Sequence, residues 1–355
     1  MTAAEPSPEE HASERANQAF ERLAEPLRRE LKLHCYRMLG SLHEAEDLVQ
    51  ETYLRAWRSF DRFEGSGSFR AWLYRIATNA CLNALAGRKS ARRLLPDQRA
   101  PASAEMPDGT PATDVAWLEP YPDSDLEGIA DDAPSPELRY ASREAVQLAF
   151  VAAIQQLPAR QRAALLLCDV LGWAAAEAAT LLGGSTTSIN SALQRARETL
   201  AKRYPEGRPP LASPLNPAQQ SLLGRYVQAW EGLDLDDFVA LLKEDATYTM
   251  PPVPQWYAGR QAIRAFFDWV WKAYGGFRLI PTAANRQPAF AAYSRTGADA
   301  SWTAHSIHVL TLEHDMISRL TFFVKPTGPR LFHAFGLPLI LPGAASAEAL
   351  PPHQS

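Results

Sequence analysis

Two all-α modules followed by a mixed α+β domain are the fold class that the chain predicts, and three observations predict it. From Ala19 to Leu85 the apolar residues recur at helical spacing, with Leu27, Leu31, His34 or Cys35, and Met38 on one stripe. From Pro136 to Tyr204 the spacing is again helical, broken by glycine turns. After Pro217 the pattern changes to short helix-like stretches and then alternating strands. A chain of 355 residues is long enough for two or three such cores.

The first module reads as three helices. Gly40-Ser41 ends the first and caps the next, which runs from about His43 to Phe60. The loop Asp61 to Ser68 carries two glycines, and a third helix covers Phe69 to about Ala86. In the second module Leu157-Pro158 opens a helix, Gly172 separates it from Ala174–Leu182, and Gly183-Gly184 turns into a last helix over Thr186–Arg203. The C-terminal part predicts helices at Leu222–Trp230, Leu235–Leu242 and Gly259–Tyr274. Strands are predicted at Ala246–Met250, Phe277–Ala283, Ala289–Ser294, Thr303–Glu313 and Met316–Val324. Residues 1–18 are polar and read as disordered, 90–136 as an acidic linker, 205–217 as a proline-rich linker and 339–355 as a tail. The modules then span 19–89, 137–204 and 218–338.

Charge is unevenly placed. Phe20 to Arg99 holds fifteen Lys and Arg against ten Asp and Glu, and Glu137 to Tyr204 eight against five. Pro101 to Pro136 has neither Lys nor Arg, yet carries Glu105, Asp108, Asp114, Glu119, Asp123, Asp125, Glu127, Asp131 and Asp132. Basic modules suit a polyanion, because each neutralised phosphate releases counterions. The sequence shows no secretory leader and no membrane-length apolar run, so the cytoplasm is the expected location and no membrane is an expected partner. Cys35, Cys81 and Cys168 are far apart and at no metal spacing, so buried thiols are expected and neither metal nor cofactor is implied.

Helix, turn and longer helix over 157–200 form a helix-turn-helix. With Ile189, Leu193, Ala196 and Leu200 turned to the core, Ser185, Thr187, Ser188, Ser191, Gln194 and Arg195 are left to meet base edges and phosphates. An ordinary solvated helix face is the alternative. In the second helix of the first module Ala45, Val49, Thr52 and Ala56 share one face, while Asp47, Gln50, Glu51 and Leu54 share another. That acidic face stands out on a basic module. The third helix interleaves Arg70, Trp72, Arg75 and Asn79, a mixture that suits unpaired bases.

These segments carry a family resemblance. Glu46-Asp47-Leu48-Val49-Gln50-Glu51-Thr52-Tyr53 and Phe69-Arg70-Ala71-Trp72-Leu73-Tyr74-Arg75-Ile76-Ala77-Thr78-Asn79 resemble the second domain of extracytoplasmic-function sigma factors of the sigma-70 family. Leu157-Pro158, Arg160-Gln161-Arg162, Leu171-Gly172-Trp173 and Ala192-Leu193-Gln194-Arg195-Ala196-Arg197 resemble the fourth. The resemblance implies a protein that binds core RNA polymerase, at its clamp helices and flap, and directs initiation at promoter DNA. Asp47, Leu48, Gln50, Glu51 and Leu54 would dock on the polymerase. Asp61, Arg62, Phe63, Arg70, Trp72, Arg75 and Asn79 would hold the −10 strand, and the helix-turn-helix face would read −35. The acidic linker would thread the polymerase interior.

Residues 218–338 resemble the cone-shaped SnoaL-like, nuclear-transport-factor-like fold. Met250-Pro251-Pro252, Trp256-Tyr257-Ala258-Gly259-Arg260 and Phe335-Gly336-Leu337-Pro338 look like the version fused to one group of these sigma factors, found also in mycobacteria. Such folds enclose an apolar pocket, for which Tyr248, Trp256, Tyr257, Trp302 and His308 are candidates. Asp245, His305 and His333 are further polar candidates, but no pair stands at acid–base spacing. His305 and His308, three residues apart, should point to opposite faces of a strand. A regulatory or packing domain, contacting the rest of the chain, is favoured over a small-molecule sensor and over an enzyme. The competing reading of the whole chain is a helix-turn-helix regulator with a ligand-sensing C-terminal domain. A bifunctional enzyme finds no phosphate loop, metal cluster or nucleophile motif before residue 204.

Overall fold

The computed structural model describes residues 8–63, 68–88, 92–107, 110–112, 114–129, 144–203, 215–297 and 301–342. They fall into two compact units. One comprises residues 1–92 and 125–209, the other 93–124 and 210–355.

The first unit contains both helical modules. Its helices are α1 (Pro8–Ala24), α2 (Arg28–Leu39), α3 (Leu42–Arg58) and α4 (Phe69–Ala86). They are followed by α5 (Leu148–Ile154), α6 (Ala159–Leu165), α7 (Ala175–Leu182) and α8 (Thr186–Arg203). Gly40, at φ 69°, ends α2 in the left-handed conformation, and the Ser41 side chain caps α3 by accepting from Glu44 N. The core of the first module is aliphatic and sulfur-rich: Leu31, Met38, Val49, Leu73 and Ala77 are fully buried. Cys35 and Cys81, remote in sequence, meet there, and the hydrogen bond between them together with burial pushes the Cys81 thiol up. Cys168 is only half-buried.

The N-terminus departs from the sequence expectation. Residues 8–18 are helical, within α1, rather than disordered. Phe20 explains it, because its ring packs edge-on against Tyr53, Trp57, Phe60 and Phe69 at centroid distances of 5.3–6.1 Å. One aromatic anchor thus ties down a helix whose sequence is otherwise mostly polar residues and alanine.

The second unit is built on one sheet. Helices α9 (Pro217–Gly232), α10 (Leu235–Ala240) and α11 (Arg260–Val270) accompany β1 (Leu242–Thr249), β2 (Trp256–Ala258), β3 (Gly276–Ala284), β4 (Gln287–Arg295), β5 (Trp302–Glu313) and β6 (Met316–Phe323). Helix α12 (Thr327–Leu331) and the short β7 (Ile340–Leu341) close it. The strand order is β2-β1-β6-β5-β4-β3, with β7 added to β5 and β1 parallel to β6. The two strands absent from the sequence reading, β2 and β7, are three and two residues long, too short to show alternation.

Residues 93–124 belong to this unit, so the acidic stretch 90–136 is not one free linker. Ser103 N donates to Trp256 O at 2.8 Å, Ala112 N to Pro252 O at 3.1 Å, and Trp256 Nε1 to Ala100 O at 2.7 Å. Arg319 pairs with Asp97 at 2.8 Å. Leu95, Trp117, Leu118 and Tyr121 are buried, and Leu94 pairs with Trp117 as an isolated bridge. At its end the strap clasps the β3–β4 turn. Tyr121 N donates to Asn285 Oδ1, Asn285 N returns to Tyr121 O, and Arg286 N donates to Asp123, each at 2.8 Å. Asn285 and Arg286 both have positive φ, as a two-residue hairpin turn requires. Residues 130–143 of the stretch, with Asp131 and Asp132, lie outside the described residues, as does most of the tail after Leu341.

Candidate polymerase- and DNA-binding surfaces

Helix α3 buries Ala45, Val49, Thr52 and Ala56 and turns its opposite side outward. Asp47 and Gln50 are exposed, Leu48 and Glu51 half-buried, and Leu54 is 57% exposed. Trp57 is exposed one turn further on. Glu51 is paired along the helix with Arg55 at 2.6 Å, which leaves Asp47 as the acidic group at the centre of the face. Beside it Glu46 is bound by both Arg28 and Lys32, and these cations hold its carboxyl below the ordinary range against the opposing effect of burial. Lys32 also binds Asp125, the first strap residue of this unit.

Helix α4 lacks acidic residues in its first turn, and Arg75 and Asn79 are exposed on it. Phe63, Phe69 and Trp72 form an aromatic cluster with centroids 5.2–5.5 Å apart. Arg62 and Asp61 are exposed just before it. Arg70 behaves differently from its neighbours. Its guanidinium forms a two-pronged pair with Glu30, at 2.8 and 3.0 Å, and lies over the Tyr74 ring at 5.0 Å. It braces α4 against α2 rather than standing free for a phosphate. Residues 64–67 of the predicted loop lie outside the described residues.

In the helix-turn-helix, α6 continues through a π turn over Leu166–Val170, and α7 and α8 follow. Ile189, Leu193, Ala196 and Leu200 are buried together with Ala192, while Thr187, Gln194 and Arg195 are exposed and Ser191 half-buried. Ser185 and Ser188 are exposed, but their hydroxyls cap α8. Ser188 N donates to Ser185 Oγ and Ser185 N to Ser188 Oγ, both at 3.1 Å. At the start of α7, Ala174 has no side-chain acceptor, and only the reciprocal half of a capping box forms, Ala174 N to Glu177 Oε2 at 2.8 Å. Arg197 ties α8 to the π turn through both oxygens of Asp169, at 2.6 and 2.9 Å.

The two helical modules lock together. Arg162, fully buried, donates to the carbonyls of Ile154, Gln155 and Leu157 in its own module and to Met38 in the other. Gln155 Nε2 donates to Arg37 O at 3.0 Å, and Arg37 Nε donates to Ala145 O at 3.2 Å. Arg37 and Met38 stand in the last turn of α2, whose carbonyls lack helical partners, so residues of the second module cap the first. Burial lowers the Arg162 guanidinium to about 10, still charged at neutral pH. Tyr74 and Trp173 lie 5.7 Å apart across the same junction. Between the modules opens a cleft of about 590 Å³, lined on one side by Arg62, Phe63, Trp72 and Arg75 and on the other by Trp173, Glu177, Thr180 and Leu181.

The C-terminal pocket candidates are spread between the core and the surface. Tyr248, Tyr257 and His308 are core residues. Tyr248 packs against Tyr257, Phe266, Phe267 and Phe322, and His308 stacks on Phe322 at 3.6 Å. Trp256 is engaged by the strap and Trp302 by Arg295, 4.4 Å from its ring. Asp245 and His333 are exposed. His305 and His308 are not separated as strand alternation predicts. A bulge in β5 places Ser306 opposite Ala292 and Ala304 opposite Tyr293, leaving His305 as the extra residue. Ser306 then bridges the two imidazoles.

Comparison with known proteins decides the family. Residues 23–91 match the model of Sigma-70 region 2, 147–200 that of Sigma-70 region 4, and 223–320 that of the SnoaL-like domain. The chain is 47% identical over 339 residues to the ECF RNA polymerase sigma factor SigG of Mycobacterium tuberculosis, covering 94% of this chain and 88% of the relative. The chain belongs to the extracytoplasmic-function RNA polymerase sigma factors. SigJ of M. tuberculosis is 31% identical over 226 residues, 63% of this sigma factor and 62% of SigJ. The crystal structure of SigJ matches the fold with a TM-score of 0.55, at 23% identity, over 88% of this chain and 97% of that one. Like other members, this sigma factor joins regions 2 and 4, and it carries a C-terminal SnoaL-like domain. Among the described residues no helix is long and apolar enough to cross a membrane, and no cluster of His, Cys, Asp and Glu could hold a metal.

Proposed function

We propose that this sigma factor docks on the clamp helices of core polymerase through Asp47, Leu48, Gln50, Glu51 and Leu54, with region 4 at the flap. One observation carries the reading: the outer face of α3 presents an acidic centre with an exposed Leu and Trp on a module otherwise rich in cations. Arg62, Phe63, Trp72, Arg75 and Asn79 hold the −10 strand, with Asp61 at the loop edge, and Arg70 contributes by fixing α4. Thr187, Ser191, Gln194 and Arg195 face the −35 groove, while Ser185 and Ser188 aim the helix by capping it.

The locked arrangement of regions 2 and 4 is a closed state. Promoter elements named for positions about 25 base pairs apart lie roughly 80 Å apart along straight duplex, at about 3.4 Å per pair. Helices in direct contact cannot reach both, so the junction at Arg162 opens on initiation. The strap 93–124 leaves the SnoaL-like domain when it threads the polymerase, which makes that domain a regulator acting within the chain rather than an enzyme. The location is the cytoplasm, with the transcription machinery.

Fluorophores on the exposed faces of α4 and α8 test this. Their separation should increase when core polymerase and promoter DNA are both added. An unchanged separation in an actively initiating complex would contradict the closed state.

A further inference from the structure

The motif Leu171-Gly172-Trp173 serves neither the polymerase-docking face nor the −35 face, yet its tryptophan stands in the cleft of about 590 Å³ between regions 2 and 4. The π turn over Leu166–Val170 and Gly172, at φ 74°, carry the chain out of its helix, and Trp173 N donates back to Leu167 O at 2.9 Å. The half-buried indole then forms part of the region 4 wall. On the region 2 wall the rings of Phe63 and Trp72, also half-buried, have centroids 5.2 Å apart. Aromatic rings therefore flank the cleft on both sides.

Charge is divided between the walls. Arg62 and Arg75 are exposed on the region 2 wall with no ion-pair partner among the described residues, whereas Arg70 is paired with Glu30. The region 4 wall contributes one carboxylate, Glu177, which already accepts from Ala174 N through Oε2. Guanidinium groups beside stacking rings suit a planar base that carries phosphate, since the rings take the base and the cations the phosphate oxygens. Two cations match a diphosphate, and two flanking indoles match a purine. The volume lies within the roughly 300–1,000 Å³ of small-molecule sites. A DNA strand held at −10 meets region 2 alone once the regions part, so it cannot use Trp173. A ligand small enough to lie inside the closed cleft uses both walls.

We propose that this cleft is a binding site for a free purine nucleoside diphosphate, its base against Trp173 and Trp72 and its phosphates on Arg62 and Arg75. The site rests on the closed arrangement proposed above. Because the nucleotide touches both regions only while they are together, it favours the closed state over the open one and opposes initiation.

Equilibrium dialysis of the full chain against ADP, without polymerase or DNA, reads the site. ADP should bind with a dissociation constant below about 1 mM. Adenosine and pyrophosphate, each lacking one half of the contacts, should bind at least about tenfold more weakly. Trp173→Ala should weaken ADP binding at least about fivefold, the lower end for one stacked base. Arg62→Gln, at an exposed position where the fold is not at stake, should do the same. No ADP binding at that concentration, adenosine or pyrophosphate binding as tightly as ADP, or ADP binding undiminished in either variant overturns the site. So does a single-stranded DNA tetranucleotide that matches ADP and is weakened equally by Trp173→Ala, because the cleft would then belong to the strand. The fluorophore pair on α4 and α8 keeps the site apart from the closed state. A short separation in the free chain with no ADP binding overturns the site alone, and a long separation that ADP does not shorten overturns both.

Discussion

The guanidinium of Arg162, in region 4, donates to the main-chain carbonyl of Met38 at the end of α2 in region 2. Its other partners are the carbonyls of Ile154, Gln155 and Leu157 and the Gln155 side chain, all buried. Arg162→Leu would leave several buried acceptors without donors, at about 1–3 kcal/mol for each left unsatisfied. We expect at least about 3 kcal/mol of destabilisation in urea unfolding, and little rescue by Arg162→Lys, which lacks the planar fork. A loss within about 0.5 kcal/mol would mean that the junction contributes nothing.

The strap depends on the β3–β4 turn. Asn285→Ala removes the acceptor of Tyr121 N and puts Ala, which tolerates the left-handed region less well than Asn, at φ 56°, so the strap end should loosen. Hydrogen exchange at Tyr121 and Asp123 should rise by about ten- to a hundredfold while amides in the β5–β6 pair stay protected. Equal protection in both proteins would show that the strap is held elsewhere.

Two exposed positions on α8 separate aiming from reading. Ser185→Ala should cost helix stability by about 1 kcal/mol through the lost cap. Arg195→Ala should leave stability within about 0.5 kcal/mol but weaken promoter binding and flatten its salt dependence. Circular dichroism melts and binding at two salt concentrations check both. A stability loss from Arg195→Ala as large as that from Ser185→Ala would reassign the residue to packing.

Acid should destabilise both units. Burial lowers His34 to about 3 and His305 to about 4, and depresses His308 as well. A base whose folded value lies below its unfolded one binds fewer protons in the folded state. Stability is therefore complete above the unfolded value near 6.5 and falls as pH drops below it, continuing to the folded value. The slope approaches about 1.4 kcal/mol per pH unit for each histidine. Thermal unfolding between pH 7 and 5 should show midpoints dropping, with a smaller drop for the second unit in His305→Gln. Flat midpoints over that range would contradict the burial of these rings.

Much of this was legible in the sequence where the signal is local. The glycine turns, the helical stripe of Ile189, Leu193, Ala196 and Leu200, and the acidic face of α3 each repeat within one or two turns, so spacing alone places α4 and α8 at their observed limits. What escaped reading is non-local. Arg162 sits in a basic-looking run and shows no sign that Met38 lies against it. The bulge at His305 is set by pairing with β4, which reverses the inference drawn from strand alternation. In the polar strap Trp117 and Leu118 read as residues able to dock, but nothing in the sequence says that, with Tyr121, they belong to the sheet domain. Phe20 anchors α1 in the same non-local way.

Transcription from a promoter with purified core polymerase and the full chain, beside the Asp47→Ala, Glu51→Ala variant, tests the central claim most directly. Initiation that requires the protein and falls in the variant, with its fold intact, is the predicted result. DNA binding with neither initiation nor association with core polymerase would contradict it.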